Sequence, residues 1–116
     1  MQQIHYRYGG IIFKMKKLYQ NLPKTPGVYL MKDATGWVIY VGKAGNLRRR
    51  VSSYFNRPHE SKIQMLVLEI AKVDYKKTDS ALEALILESK LIKKLAPKFN
   101  VREKDDKSFL YMEITN

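Results

Sequence analysis

From Gly27 onward the chain alternates between short apolar runs and clusters of turn residues. Gly27-Val28-Tyr29-Leu30-Met31-Lys32 and Trp37-Val38-Ile39-Tyr40-Val41-Gly42 flank Asp33-Ala34-Thr35-Gly36. Two β-rich runs around a four-residue turn cluster predict a β-hairpin. With residues 33–36 as the loop, Lys32 faces Trp37 and Tyr29 lies directly opposite Tyr40, both on one face of the sheet. Val28 and Leu30 then pair with Val41 and Ile39 on the other face, which is apolar and should pack on a helix. This register depends on the loop length, because a one-residue slip exchanges the two faces.

The pattern then changes to a helical period. Gly42-Lys43-Ala44-Gly45 ends the second strand, and Asn46 is a suitable N-cap for a short helix from Leu47 to about Phe55. Arg50 and Tyr54, four residues apart, share a face of it. After the loop Pro58-His59-Glu60, Ser61 can cap a second helix of about ten residues, with Ile63, Leu66, Val67 and Ile70 at i, i+3, i+4, i+7. Val73 to Thr78 alternates as a third strand, whose lysines suit an exposed edge. Ser80-Ala81-Leu82-Glu83 is a capping box that opens the longest helix, running to about Ala96 before Pro97. Phe109 to Ile114 could add a further short strand. The pattern predicts an α+β domain with a small central antiparallel sheet of about three strands flanked by helices.

Composition sets the class. The chain has 116 residues, no cysteine, and 22 Lys plus Arg against 11 Asp plus Glu, a net charge of +11. That length fits one domain. Residues 1–14, with Gln2-Gln3 and Gly9-Gly10, read as an extension; the compact domain is expected over 15–116. Lack of cysteine rules out disulfides, thiolate metal sites and a cysteine nucleophile. No run approaches the roughly 18–20 apolar residues of a membrane span, and Ile11-Ile12-Phe13 is too short for a signal peptide. These features predict a soluble cytoplasmic domain with a polyanionic partner, nucleic acid before an anionic membrane.

A few residues could carry chemistry. Glu88 falls among Ala81, Ala84, Leu85, Leu91, Ile92 and Leu95 on the long helix, where a carboxylate is costly unless paired or metal-bound. A buried salt bridge and a functional carboxylate explain it about equally well. Tyr29 and Tyr40 form either a stabilising cross-strand pair or a pair of phenols for proton transfer or phosphate contact. Lys43, Arg48, Arg49, Arg50, Tyr54 and Arg57 make a basic stretch with an interleaved aromatic, either a solvated face or a phosphate-binding surface. Asn100, beyond Pro97, has the place of a turn residue. His5 and His59 have no ligand partner at metal-site spacing.

Taken in order, these stretches resemble the GIY-YIG nuclease family, and within it the excinuclease branch. The carrying segments are Pro26 to Asp33, Val38 to Ala44, Asn46 to Phe55, Glu83 to Glu88, Leu91 to Lys94, Pro97 to Val101 and Asp105 to Ser108. The resemblance spans residues 15–115. It implies Gly27-Val28-Tyr29 and Tyr40-Val41-Gly42 as the name-giving triplets. It further implies Tyr29, Tyr40, Lys43, Arg50, Tyr54 and Asn100 as catalytic-site residues and Glu88 as the carboxylate for one divalent cation, Mg²⁺ or Mn²⁺. Lys43, Arg48, Arg49 and Arg57 are the expected DNA contacts.

The implied activity is hydrolysis of a DNA phosphodiester, of the kind that makes the 3′ incision in nucleotide excision repair, with loading proteins of the UvrA/UvrB type or a recruiting domain as partners. Gly45 departs from the family pattern, where lysine is frequent. Met15-Lys16-Lys17-Leu18 resembles the start of such domains. A non-catalytic DNA-binding module with the same fold is the competing reading, and an RNA- or ribosome-associated basic domain a third.

Overall fold

The computed structural model describes residues 16–56 and 61–101. In chain order these form β1 (Gly27–Lys32), β2 (Val38–Ala44), α1 (Leu47–Asn56), α2 (Ser61–Glu69), β3 (Lys72–Lys77) and α3 (Ala81–Leu95). Helical turns at 16–19 and 98–101 flank them. The extension expected over 1–14 and the strand expected over 109–114 lie outside the described residues.

β1 is the centre of a three-stranded antiparallel sheet of order β2-β1-β3. The sheet is buried on both faces. One face carries Tyr29, Met31 and Ile39 and packs against Leu47, Val51 and Tyr54 of α1, Leu66 of α2, and Leu22, Ile70 and Phe99. The other carries Val28, Leu30 and Val41 and packs against Ala84, Leu87, Leu91 and Ile92 of α3. Leu47 and Val51 are fully buried, each contributing about 2 kcal/mol of apolar burial.

The hairpin register differs from the expected one. Tyr29 faces Gly42, and Tyr40 faces Met31. The difference begins in the turn, which is longer than residues 33–36. Asp33 Oδ1 accepts from Thr35 N–H at 2.9 Å, Thr35 Oγ1 at 2.6 Å and Trp37 N–H at 3.2 Å, and Asp33 N–H donates to the Trp37 carbonyl at 3.0 Å. Lys32 pairs with Val38 while Met31 pairs with Tyr40, so Ile39 is the extra residue of a β-bulge. A bulge interrupts strict alternation. Ile39 therefore joins Tyr29 and Met31, while Val38 packs with Val28 and Leu30. The expected grouping of Ile39 with Val41 is corrected accordingly. Tyr29 and Tyr40 nevertheless keep a common face, because the register moved by an even number of residues.

The caps expected at Asn46 and Ser80 hold, whereas Ser61 is the first residue of α2 itself. Asn46 Oδ1 accepts from Arg49 N–H at 3.0 Å, and Ser80 Oγ accepts from Glu83 N–H at 3.1 Å. Glu83 reaches back to Asp79 N–H at 3.0 Å. α3 stops at Ala96, whose φ of 44° is left-handed and whose N–H donates to the Ile92 carbonyl at 2.8 Å. Alanine there costs about 1 kcal/mol relative to glycine, and the turn redirects the chain through buried Pro97 toward β2. The strand expected at Val73 to Thr78 is β3, an edge strand with exposed Lys72, Lys76 and Lys77.

Gly27 sits where two backbones and a helix meet. A Cβ on it would lie 2.4 Å from the Lys76 carbonyl oxygen and 2.8 Å from Leu47 Cδ1. Relieving the first clash means parting β1 from β3. Gly27→Ala is expected to destabilise the domain by about 2 kcal/mol, seen as a lower urea midpoint with an unchanged m-value.

Candidate active site

Three tyrosines from three elements meet on the α1 side of the sheet. Ring centroids of Tyr29 and Tyr40 are 6.4 Å apart, Tyr29 and Tyr54 5.9 Å, and Tyr40 and Tyr54 6.3 Å. The hydroxyls of Tyr29 and Tyr54 share a buried hydrogen bond of 2.6 Å. The Arg50 guanidinium lies 5.3 Å from the Tyr54 ring centroid, one helical turn before it, as their spacing requires.

Gly42 makes this cluster possible. Tyr29 is its cross-strand partner, and the ring lies so close that a Cβ on Gly42 would fall 2.2 Å from both Tyr29 Cζ and Oη. Any side chain there would push the phenol off Tyr54. The glycines of both name-giving triplets are thus explained by close approach.

The electrostatics follow from burial. Burial first, then the neighbouring Tyr54, pushes the Tyr29 phenol well above its ordinary pKa, with Arg50 pulling the other way. At neutral pH Tyr29 therefore carries its proton. Burial works against the Arg50 cation, but Tyr54, Tyr29 and Tyr40 outweigh it and hold Arg50 above its ordinary value. Arg50 stays charged and faces phenols that favour that charge.

Asn100 is buried, and both ends of its carboxamide are engaged by one residue. Val41 N–H donates to Asn100 Oδ1 at 2.8 Å, and Asn100 Nδ2 donates to the Val41 carbonyl at 2.9 Å. The amide acts as a one-residue strand on the open edge of β2, between Tyr40 and Gly42. This places Asn100 as a positioning residue for that strand.

Beside the cluster lies an open groove of about 850 Å³. Lys43, Asn46, Arg49, Arg50 and Ser53 line one side; Ala81, Leu82, Ala84 and Leu85 line the other. Arg50 belongs both to the groove and to the tyrosine cluster. Gly45 also lines the groove and has nothing within 4 Å of a built Cβ, so a lysine would fit there. Glu88 follows Ala84 by one turn of α3 and is half-buried.

Its expected setting needs one correction. The buried stripe of α3 is Ala84, Leu87, Leu91 and Ile92, while Ala81, Leu85 and Leu95 are exposed. Glu88 keeps three of its expected neighbours, Ala84, Leu91 and Ile92, on that stripe and is itself half-buried, while the other three face solvent. Arg48 is directed inward: its Nε donates to the Leu22 carbonyl at 2.7 Å, tying the segment before β1 to α1. Lys43 and Arg49 are exposed. Arg57, His5 and His59 lie outside the described residues.

A sheet whose first two strands each present a tyrosine to a helix-borne Tyr and Arg, beside a helix with a single half-buried Glu, defines a GIY-YIG nuclease domain. The chain belongs to the UvrC-like GIY-YIG domain family, whose model matches residues 25–101. It is 50% identical over 102 residues to the UvrABC system protein C of Streptococcus pyogenes serotype M5 (strain Manfredo), and equally to that of serotype M49 (strain NZ131). Each match covers 88% of this chain and 17% of the relative, so the chain spans about a sixth of those proteins. The fold is similar to the crystal structure of the GIY-YIG N-terminal endonuclease domain of UvrC from Thermotoga maritima bound to magnesium. That match has a TM-score of 0.67 and 38% identity, and covers 74% of this chain and 94% of the other. An N-terminal endonuclease domain of the same protein with one asparagine replaced by alanine, bound to its catalytic divalent cation, matches with the same TM-score of 0.67 over 74% of this chain and 93% of that one.

Asn100→Ala removes both partners of Val41 on the strand edge. It is expected to cost about 1–3 kcal/mol and to raise amide hydrogen exchange at Val41 selectively. Thermal melting and residue-resolved exchange check both.

Proposed function

We propose that this domain cuts DNA by hydrolysing a phosphodiester with one divalent cation, Mg²⁺ or Mn²⁺, held by Glu88. In the longer protein of its relatives' type, the cut would be the 3′-side incision of nucleotide excision repair. It would act on cytoplasmic DNA presented by loading proteins of the UvrA/UvrB kind. The observation that carries this reading is the junction of two assemblies at Arg50: a cluster of buried Tyr29 and Tyr54 with half-buried Tyr40, and a groove with exposed Lys43 and Arg49.

The donor set suits the cation. Among the described residues no group of three His, Cys, Asp or Glu side chains could hold a metal jointly. Mg²⁺ commonly takes one or two carboxylates and fills its other positions with water and substrate phosphate. The UvrC neighbour was solved with magnesium. When bound, the ion supplies charge to polarise the phosphate and stabilise the leaving oxygen.

The chain's own residues do the rest. Lys43 and Arg49 hold the phosphate backbone in the groove. Arg50, charged throughout, offsets charge building on the phosphate oxygens. To accept the proton of the attacking water, Tyr29 must first give up its own: its phenolate would be held by the Tyr54 hydroxyl, which donates to it at the 2.6 Å contact, and by Arg50, and taking the water's proton returns it to the phenol. Tyr40 orients water or phosphate. Asn100 keeps β2, and with it Tyr40 and Gly42, in place. In further UvrC crystal structures bound to the cation, single tyrosines are replaced by phenylalanine, the residue type that forms the cluster here.

Glu88→Ala is expected to abolish metal-dependent nicking of supercoiled plasmid while DNA affinity changes little; nicking retained with added Mg²⁺ would refute the ligand assignment. Tyr29→Phe is expected to lower turnover about 10²–10⁴-fold with a native circular dichroism spectrum. Near-normal single-turnover rates would remove Tyr29 from the proton-acceptor role.

A further inference from the structure

The groove has walls of opposite chemistry. On the β2–α1 side stand Lys43, Arg49 and Arg50, with Asn46 and Ser53 between them. On the α3 side stand Ala81, Leu82, Ala84 and Leu85. Leu82 is 65% exposed and Leu85 45%, on a helix whose buried stripe runs along Ala84, Leu87, Leu91 and Ile92. The two leucines are therefore not core residues at the margin of the fold. They form a separate apolar strip turned toward a row of cations.

Fully paired duplex DNA offers such a groove phosphates and sugars but no flat apolar surface, since its base faces are stacked inside. An unpaired nucleotide offers both a phosphate for the cations and, on its base, a face that apolar side chains can cover. We propose that the groove accepts a DNA strand carrying an unstacked nucleotide. Its phosphate lies on Lys43, Arg49 and Arg50, and its base lies against Leu82 and Leu85. The domain would thereby favour locally opened DNA over intact duplex. This rests on DNA being the substrate, as proposed above, and adds what conformation of it is selected.

The groove is large enough. About 850 Å³ of open volume exceeds what a single nucleotide needs. The opening between the walls is bounded by Gly45, Ala81 and Ala84, which carry little or no side chain and leave the depth of the groove free. A protein segment seated on the leucines is the competing occupant. The row of cations opposite favours an anionic ligand with an apolar face over a purely apolar one.

The test is fluorescence anisotropy without divalent metal, using two labelled 20-base-pair probes. One is fully paired, and one carries two unpaired nucleotides at its centre. The unchanged domain is expected to bind the opened probe about fivefold more tightly. Leu82→Ser/Leu85→Ser, at exposed positions and with an unchanged melting temperature, is expected to remove that preference while leaving affinity for the paired probe as it was. Leu82→Trp, which widens the apolar wall, is expected to increase the preference.

Equal affinity for both probes, or a preference that survives the double serine variant, overturns the proposal and assigns the leucine wall to a protein contact. In that case plasmid nicking and its loss in Glu88→Ala still stand. Failure to bind either probe, together with failure to nick, overturns the DNA reading itself.

Discussion

The contact between the Tyr29 ring and Gly42 is the constraint on which the rest of the site depends. It exists only because the hairpin pairs residue 29 with residue 42. That pairing is set by an Asp33-centred turn at one end and a bulge at Ile39. With no Cβ in the way, the phenol lies flat across the neighbouring strand and its hydroxyl reaches Tyr54. A single methyl at Gly42 would occupy the space of the ring. The hydroxyl pair would be lost, and with it the partner that Arg50 and Tyr40 surround.

Much of this was legible in the sequence because it is local. The Asn46 and Ser80 caps, the start of α1 at Leu47, the Arg50–Tyr54 pairing and the edge character of β3 follow from spacings of a few residues. The common face of Tyr29 and Tyr40 was legible too, and survived a wrong register, since a shift of two residues preserves which side a side chain takes. The register itself was not legible. It turns on three hydrogen bonds to one aspartate oxygen and one extra residue in β2, and neither leaves a mark on the apolar pattern. Ile39 was misplaced for that reason alone.

Glu88 and Asn100 show a different limit. Helical periodicity correctly put Glu88 beside apolar neighbours, but it cannot tell which apolar residues of α3 meet the sheet. Leu85 and Leu95 share Glu88's arc yet are exposed, while Ala84, Leu91 and Ile92 on the same arc pack against the sheet. Asn100 reads as an ordinary turn residue, but it lies buried in the helical turn 98–101 with its carboxamide on Val41, and the sequence carries no sign that this turn ends against β2. That depends on Ala96 reversing the chain in a left-handed conformation and on Pro97 being buried where it lands. The polar group that completes the strand edge thus arrives from 59 residues away.

Burial on both faces of a three-stranded sheet leaves little room for chemistry except at the sheet's margin, and the site lies there. β2 is an edge strand, so its end at Ala44 opens onto solvent between α1 and α3. The tyrosines are held from the core side and the carboxylate from α3, while α1 supplies Arg50 to both the cluster and the groove. A cation that must remain charged while touching buried phenols belongs on such a boundary: Arg50 is exposed, so water keeps it charged, while its contact with the Tyr54 ring brings that charge to the cluster. Arg50 meets both conditions because it stands on the solvent side of α1 one turn before Tyr54, whose ring is turned into the core.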